Sequence, residues 1–133
     1  MKLFAAILAV FVISSVPANA NNFQKGEEAM EQGDFQAALM VWQPLADSGH
    51  APSQNRVASL FSEGICYPQD YPAAAKWYRK SADQDFTPAQ VSLGELYEKG
   101  LGVPKDIGKA KKWYKRAAAL GDTQATTKLE NLK

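Results

Sequence analysis

The sequence predicts an all-α fold, a short right-handed α-solenoid of three helical hairpins plus a C-terminal capping helix. Three observations predict it. The chain matches itself when shifted by 36 residues, apolar residues within each unit recur at helical spacing, and turn and capping residues separate the stripes. Aligning Ser53–Pro88 with Ala89–Gln124 gives 11 identities in 36 positions, including Trp77-Tyr78 with Trp113-Tyr114. Average residue usage would give about two.

The chain's 133 residues, 46% hydrophobic and 22% charged, suffice for one small domain or one short repeat array. The first twenty residues read as an address. Lys2 is followed by the apolar run Leu3–Ile13, then Pro17 and the small-residue end Ala18-Asn19-Ala20. This is the pattern of a secretory signal peptide cut after Ala20, because an eleven-residue apolar run is too short to span hydrocarbon. The expectation is therefore a leader at 1–20 and a repeat domain at 21–133, periplasmic or secreted.

The first hairpin covers about 21–52. Its second half shows the repeat, with Asp34, Ala37, Ala38, Ala46, Asp47 and Pro52 matching Asp70, Ala73, Ala74, Ala82, Asp83 and Pro88. Gly26 to Ala38 is twelve residues, against sixteen for Ala58 to Ala74 and Gly94 to Ala110, so the later hairpins have a turn four residues longer. Pro44 lacks a backbone donor and is expected to kink or end the second helix.

The second and third hairpins cover 53–88 and 89–124. In the third, Thr87 can cap a helix with Pro88 in its first turn, and Ala89, Leu93, Leu96 and Tyr97 form one apolar stripe. Gly100-Leu101-Gly102-Val103-Pro104 makes the turn, and Asp106 caps a helix whose inner side is Ala110, Trp113, Tyr114, Ala117 and Ala118. Gly121 can end it. A last segment, 122–132, turns Ala125, Leu129 and Leu132 inward and polar residues outward, as a cap on a stack of repeats should.

These residues resemble a known family. Ala89 to Gly121, with Leu93-Gly94-Glu95-Leu96-Tyr97, Gly100-Leu101-Gly102-Val103 and Lys112-Trp113-Tyr114, is similar to a Sel-1-like repeat, a relative of the tetratricopeptide α-solenoids. The second copy departs from that pattern, with Ala58 for the first Gly, Cys66 for the loop Gly, Tyr67 for Val and Ser81 for Ala. The resemblance implies a non-enzymatic scaffold that holds a partner protein or peptide in a concave groove and needs no cofactor. By tetratricopeptide groove geometry, the groove-facing residues would be Asn55, Ser59, Ser62, Val91, Glu95, Glu98, Thr127 and Asn131. Such a groove is polar and somewhat acidic. A cysteine-rich branch is associated with binding or hydrolysing β-lactams, but it carries a disulfide in each repeat, and this chain has one Cys.

The residues themselves favour binding over catalysis. Cys66 and His50 are unique in the chain, so a Cys–His nucleophile pair would have to be these two. No basic neighbour activates the thiol, and Cys66 reads better as a small side chain at a loop Gly position. An intermolecular disulfide is the other use of a lone secreted thiol. Gly100-Leu101-Gly102 follows a helix and lacks a Gly-Lys-Ser/Thr ending, so it reads as a turn rather than a phosphate loop. Glu95 and Glu98 share a helix face without any sign of a cleft that would tune them as acid and base. No metal motif, catalytic triad or dinucleotide fingerprint is present, and nucleic acid is not an expected partner.

Charge is uneven. Residues 21–70 carry two basic groups against seven acids, whereas 71–133 carry twelve against seven. Lys105, Lys109, Lys112 and Arg116 fall on one helical flank, which reads first as a solvated face and second as a weak contact for an anionic surface. Trp113 and Tyr114 between them occupy core positions and are not stacking platforms. A homodimer would lengthen the short groove.

Overall fold

The computed structural model describes residues 18–133 as seven α-helices joined by turns: α1 (Ala18–Glu31), α2 (Phe35–Asp47), α3 (Ala51–Glu63), α4 (Tyr71–Ala82), α5 (Thr87–Lys99), α6 (Ile107–Ala119) and α7 (Thr123–Asn131). Each helix packs on its chain neighbours, giving hairpins α1–α2, α3–α4 and α5–α6 with α7 closing the stack. The expected leader up to Pro17 lies outside the described residues. Ala18, Asn19 and Ala20 form the exposed start of α1, and the first packed side chain is Phe23.

Caps divide the chain largely where the sequence placed them. Asp34, Asp70, Asp106 and Asp122 each accept the backbone N–H three residues on, at 2.9–3.0 Å. Each thereby satisfies one orphan donor and puts negative charge at the positive end of the helix dipole. Thr87 is a correction. It is the first residue of α5, and the capping position is Phe86, with no side-chain cap. Pro88 fixes that first turn without a hydroxyl's help.

Pro44 does not end α2, which continues through it to Asp47. A proline there leaves the Met40 carbonyl without its usual donor. Met40 is 76% exposed, so water can take that carbonyl.

The two longer turns start at Gly64 and Gly100, which end α3 and α5 in the left-handed conformation. Two residues further on, Gly102 has φ +71°, and a Cβ there would lie 2.3 Å from the Tyr71 carbonyl carbon. The same register in the preceding repeat is Cys66, which adopts φ +64° despite its side chain.

Packing follows the repeat. Ala38, Ala74 and Ala110 are fully buried, as are Ala46 and Ala82 to within 1%. Where α1 meets α2, Gly26 lies against Trp42; where α5 meets α6, Gly94 lies against Tyr114. A Cβ at Gly94 would sit 2.5 Å from the Tyr114 ring. The aromatic fills the space that the missing side chain leaves. One core cluster joins α3–α7 and a second, around Trp42, Val57 and Leu60, joins α1–α3.

Candidate functional site

The odd-numbered helices α1, α3, α5 and α7 share a face, and ion pairs tie them at both ends. Arg56 of α3 makes a two-pronged bond to Glu27 of α1, with Nε donating to Oε1 at 2.7 Å. Lys128 Nζ of α7 reaches Glu95 Oε1 of α5 at 2.6 Å. These pairs occupy one repeating register. Arg56, Ser92 and Lys128 are spaced by 36 residues, as are Ser59 and Glu95.

At the middle junction, α3 against α5, that register holds Ser59 and Ser92 instead of an acid and a base. At Ser92 lies a crevice of about 190 Å³ lined also by Ser62, Tyr71, Tyr78, Glu95, Leu96, Lys99 and Leu101. The Tyr78 hydroxyl lies 3.5 Å from Ser62 Oγ. Burial pushes the Tyr78 phenol above its ordinary range, partly opposed by the hydroxyls of Ser62 and Ser92. At neutral pH the crevice thus offers a neutral phenol and the Ser92 hydroxyl as donors or acceptors, with the Ser62 hydroxyl, which donates to the Ser59 carbonyl, as a further acceptor.

Of the groove residues read from the sequence, Ser62 and Glu95 line this crevice. Asn55, Ser59, Ser62, Glu95 and Glu98 are half-buried on this face, and Thr127 and Asn131 are exposed on α7. Val91 is a correction. It is 3% exposed and belongs to the α3–α7 core, because an apolar side chain at the Asn55 register is better placed inward than against water. The two glutamates are also less free than the sequence suggested. Glu95 is held by Lys128, and Glu98 Oε2 accepts the Tyr114 hydroxyl at 2.6 Å. Burial first, and then Glu98, drive the Tyr114 phenol far above the usual range. The face is therefore polar rather than strongly acidic. Ser59 and Ser62 donate to the carbonyls of Arg56 and Ser59, while Asn55 Oδ1 is buried without a hydrogen-bond partner.

Glu27, Arg56, Ser92, Lys128 and Tyr78 were not among the expected groove residues. The 36-residue spacing of Arg56, Ser92 and Lys128 was a usable signal for three of them. Glu27 takes the register of Ser59 and Glu95 once the first hairpin's four-residue shorter turn is allowed for, so its pairing with Arg56 was legible as well.

His50 and Cys66 do not meet. His50 precedes α3 and caps it, its Nδ1 accepting the Ser53 N–H at 3.3 Å; Cys66 lies beyond the other end. The 13-residue helix between them spans roughly 20 Å at 1.5 Å per residue. Burial raises the Cys66 thiol, and the Asp34 carboxylate raises it further. That is the reverse of an activated nucleophile. Among the described residues no group of three His, Cys, Asp or Glu side chains could hold a metal ion, and no helix is long and apolar enough to cross a membrane.

The basic flank is rearranged. Lys109, Lys112 and Arg116 line a shared pocket, but Lys105 packs its Cβ position beside Gly100 in the turn and does not line it. Trp113 and Tyr114 are buried, as core positions should be.

The sequence model of the Sel1 repeat matches residues 51–86 and 87–122, together more than half of the chain. The chain belongs to the Sel1 repeat family. The matched units begin two residues before the frame read from internal identities and have the same length. A Sel1 repeat protein from Oxalobacter formigenes is similar in structure, with TM-score 0.77 and 29% identity over 86% of this chain and 89% of that one. The protein c5321, a protective antigen of uropathogenic Escherichia coli with an SLR fold, gives TM-score 0.74 and 25% identity. It is matched over 84% of this chain but only 25% of its own. Cysteine rich protein B of Helicobacter pylori, at TM-score 0.68 and 18% identity over 82% of this chain and 92% of that one, shows the fold alone. No curated protein sequence matches significantly. Sel1 repeat proteins are generally protein-interaction scaffolds, and this chain has that architecture.

Proposed function

We propose that this Sel1 repeat protein is a non-enzymatic adaptor of the bacterial periplasm that holds a segment of a partner protein across the odd-helix face. One observation carries the reading: the ion-pair register is interrupted at the α3–α5 junction, where Ser62, Tyr78 and Ser92 line a polar crevice. An extended peptide needs partners for its own N–H and C=O groups, and neutral hydroxyls supply both kinds. Because Glu95 and Glu98 are already engaged, the favoured segment is polar rather than strongly basic.

The periplasmic address rests on Lys2, the apolar run Leu3–Ile13 and Ala18-Asn19-Ala20. A cut after Ala20 would remove only three exposed residues of α1 and none that pack. Mass spectrometry of the protein recovered from the cell envelope tests this, with Asn21 expected at the N-terminus. A mature chain still beginning at Met1 would refute secretion by cleavage.

The adaptor reading is tested by capture from envelope extract with the wild type and with Ser92→Arg, which fills the crevice from a half-buried position. A protein retained by the wild type and lost with the variant, at unchanged melting temperature, supports the site. Equal retention by both places the partner elsewhere.

A further inference from the structure

On the other side of α5, a pocket of about 290 Å³ is lined by Arg79 of α4, Tyr97 of α5, and Lys109, Lys112, Trp113 and Arg116 of α6. Four of these six side chains are cations, and none is acidic. Asp85 lies at the edge, where its Oδ1 accepts from Arg116 Nε at 2.9 Å. Among the described residues, Arg79, Lys109 and Lys112 have no carboxylate within ion-pair distance.

Three of the cations, Arg79, Lys109 and Arg116, rest on aromatic rings, and of the four only Arg116 also pairs with an acid, its Nη2 lying 2.8 Å from Asp85 Oδ1. The guanidinium carbons of Arg79 and Arg116 lie 5.2 and 5.3 Å from the centre of the Trp113 ring, and Lys109 Nζ lies 5.5 Å from that of Tyr97. Arg79 Nη2 also donates to the Tyr97 hydroxyl at 3.3 Å. Like charges converging on one pocket repel each other, and a stacked guanidinium keeps most of its donors free. Aromatic contacts therefore fix Arg79 and Lys109 while leaving their charge unpaired, and Lys112 beside them is unpaired as well.

The repeat alone does not produce this. Thirty-six residues earlier, the registers of Arg79, Tyr97, Lys109, Lys112, Trp113 and Arg116 hold Gln43, Phe61, Ala73, Lys76, Trp77 and Lys80. The tryptophan recurs, but two of the four cations and the phenol do not. The α4–α6 junction thus carries two cations more than the preceding one at the same positions.

We propose that this pocket is a binding site for a phosphate-type oxyanion, either free or displayed on a lipid headgroup. A doubly charged tetrahedral group offers acceptors to the Arg79 fork and two ammonium groups at once, which a single carboxylate does not, while Arg116 stays paired with Asp85 at the edge. The volume lies at the lower end of small-ligand pockets, roughly 300 Å³, and suits a compact anionic group.

The test is titration of the protein with pyrophosphate and with inorganic phosphate at constant ionic strength, read by calorimetry and tryptophan fluorescence. In parallel, sedimentation with phosphatidylcholine vesicles is compared with and without phosphatidylglycerol. Binding should weaken about ten-fold in Arg79→Gln and in Lys112→Gln, each losing one charge-assisted hydrogen bond. Both side chains are exposed, and circular dichroism verifies the fold. Lys105→Gln, equal in charge change but outside the pocket, should bind as wild type. Binding of the free anions with that pattern identifies a soluble ligand; the same pattern with vesicles alone identifies a headgroup. No binding to any probe, or equal weakening by Lys105→Gln, overturns the proposal.

Discussion

The side-chain amide of Gln84 donates to Oε1 of Gln54 at 2.9 Å, and one repeat later the matching pair is Leu120 and Gln90, where no such bond can form. Gln54 and Gln90 are both buried, and each donates its Nε2 at 3.1 Å to the carbonyl ending the preceding helix, Ala46 or Ala82. They bolt successive hairpins together. Gln54 has its acceptor satisfied; Gln90 Oε1 is buried without a partner, while Leu120 stands 52% exposed.

Leu120→Gln should therefore stabilise the protein by about 1 kcal/mol, the scale of one unmet buried polar atom. Chemical denaturation measures the gain, and repeating the substitution in a Gln90→Met background should abolish it. By the same asymmetry Gln54→Met should cost more than Gln90→Met, since the former also leaves Gln84 without one of its acceptors. Equal losses would show that the Gln84–Gln54 bond contributes nothing net.

Glycine to alanine should have opposite signs at two helical positions. A Cβ at Gly94 would come 2.5 Å from the fully buried Tyr114 ring, which cannot retreat without breaking its bond to Glu98. Overpacking of this kind costs about 1–3 kcal/mol, more than the gain of up to about 1 kcal/mol in helix propensity. At Gly108 a Cβ meets only the Asp106 carboxylate at 3.3 Å, which a small side-chain shift relieves. Thermal melts should show Gly94→Ala lower and Gly108→Ala slightly higher than wild type.

The fold was legible because its determinants are local. Asp70, Asp106 and Asp122 cap the helices that follow them, and paired Ala and aromatic positions repeat at a fixed interval, so sequence alone yields hairpins and a core. The four-residue difference between the first turn and the others is likewise the difference between Gln32–Asp34 and the segments Gly64–Asp70 and Gly100–Asp106. The binding face was only partly legible. Which residues lie on α3 and α5 follows from periodicity, but whether Glu95 is free depends on Lys128 one helix away. Arg79 belongs to the basic pocket because α4 packs beside α5, a contact that no flank of α6 reveals. Val91 failed for a different reason: groove register assigns a direction, but an apolar side chain follows the nearest core.

Cys66 should alkylate slowly. Its thiol is raised first by burial and then by the carboxylate of Asp34, so less thiolate is present near pH 8 than in free cysteine. Iodoacetamide labelling against glutathione measures this. Asp34→Asn keeps a good helix cap while removing the charge, and should accelerate labelling modestly. A thiol faster than glutathione would contradict the assignment.

His50 should make the fold sensitive to mild acid. Burial lowers its pKa below 6.5, and the neutral ring's Nδ1 accepts the Ser53 N–H that starts α3. The facing charges are few: the ring packs on Phe23, and its hydrogen-bond partner is Ser53. In the unfolded chain the imidazole protonates near its ordinary value, whereas the folded protein resists doing so. Unfolded protein therefore binds more protons between the two values, and stability rises with pH there. This contribution is present above about pH 6.5 and is lost as pH falls through the lower, folded value. His50→Asn retains a capping oxygen that does not titrate. Melting temperatures from pH 7.5 down to 5 should fall less steeply for His50→Asn than for wild type; parallel profiles would remove His50 as the source.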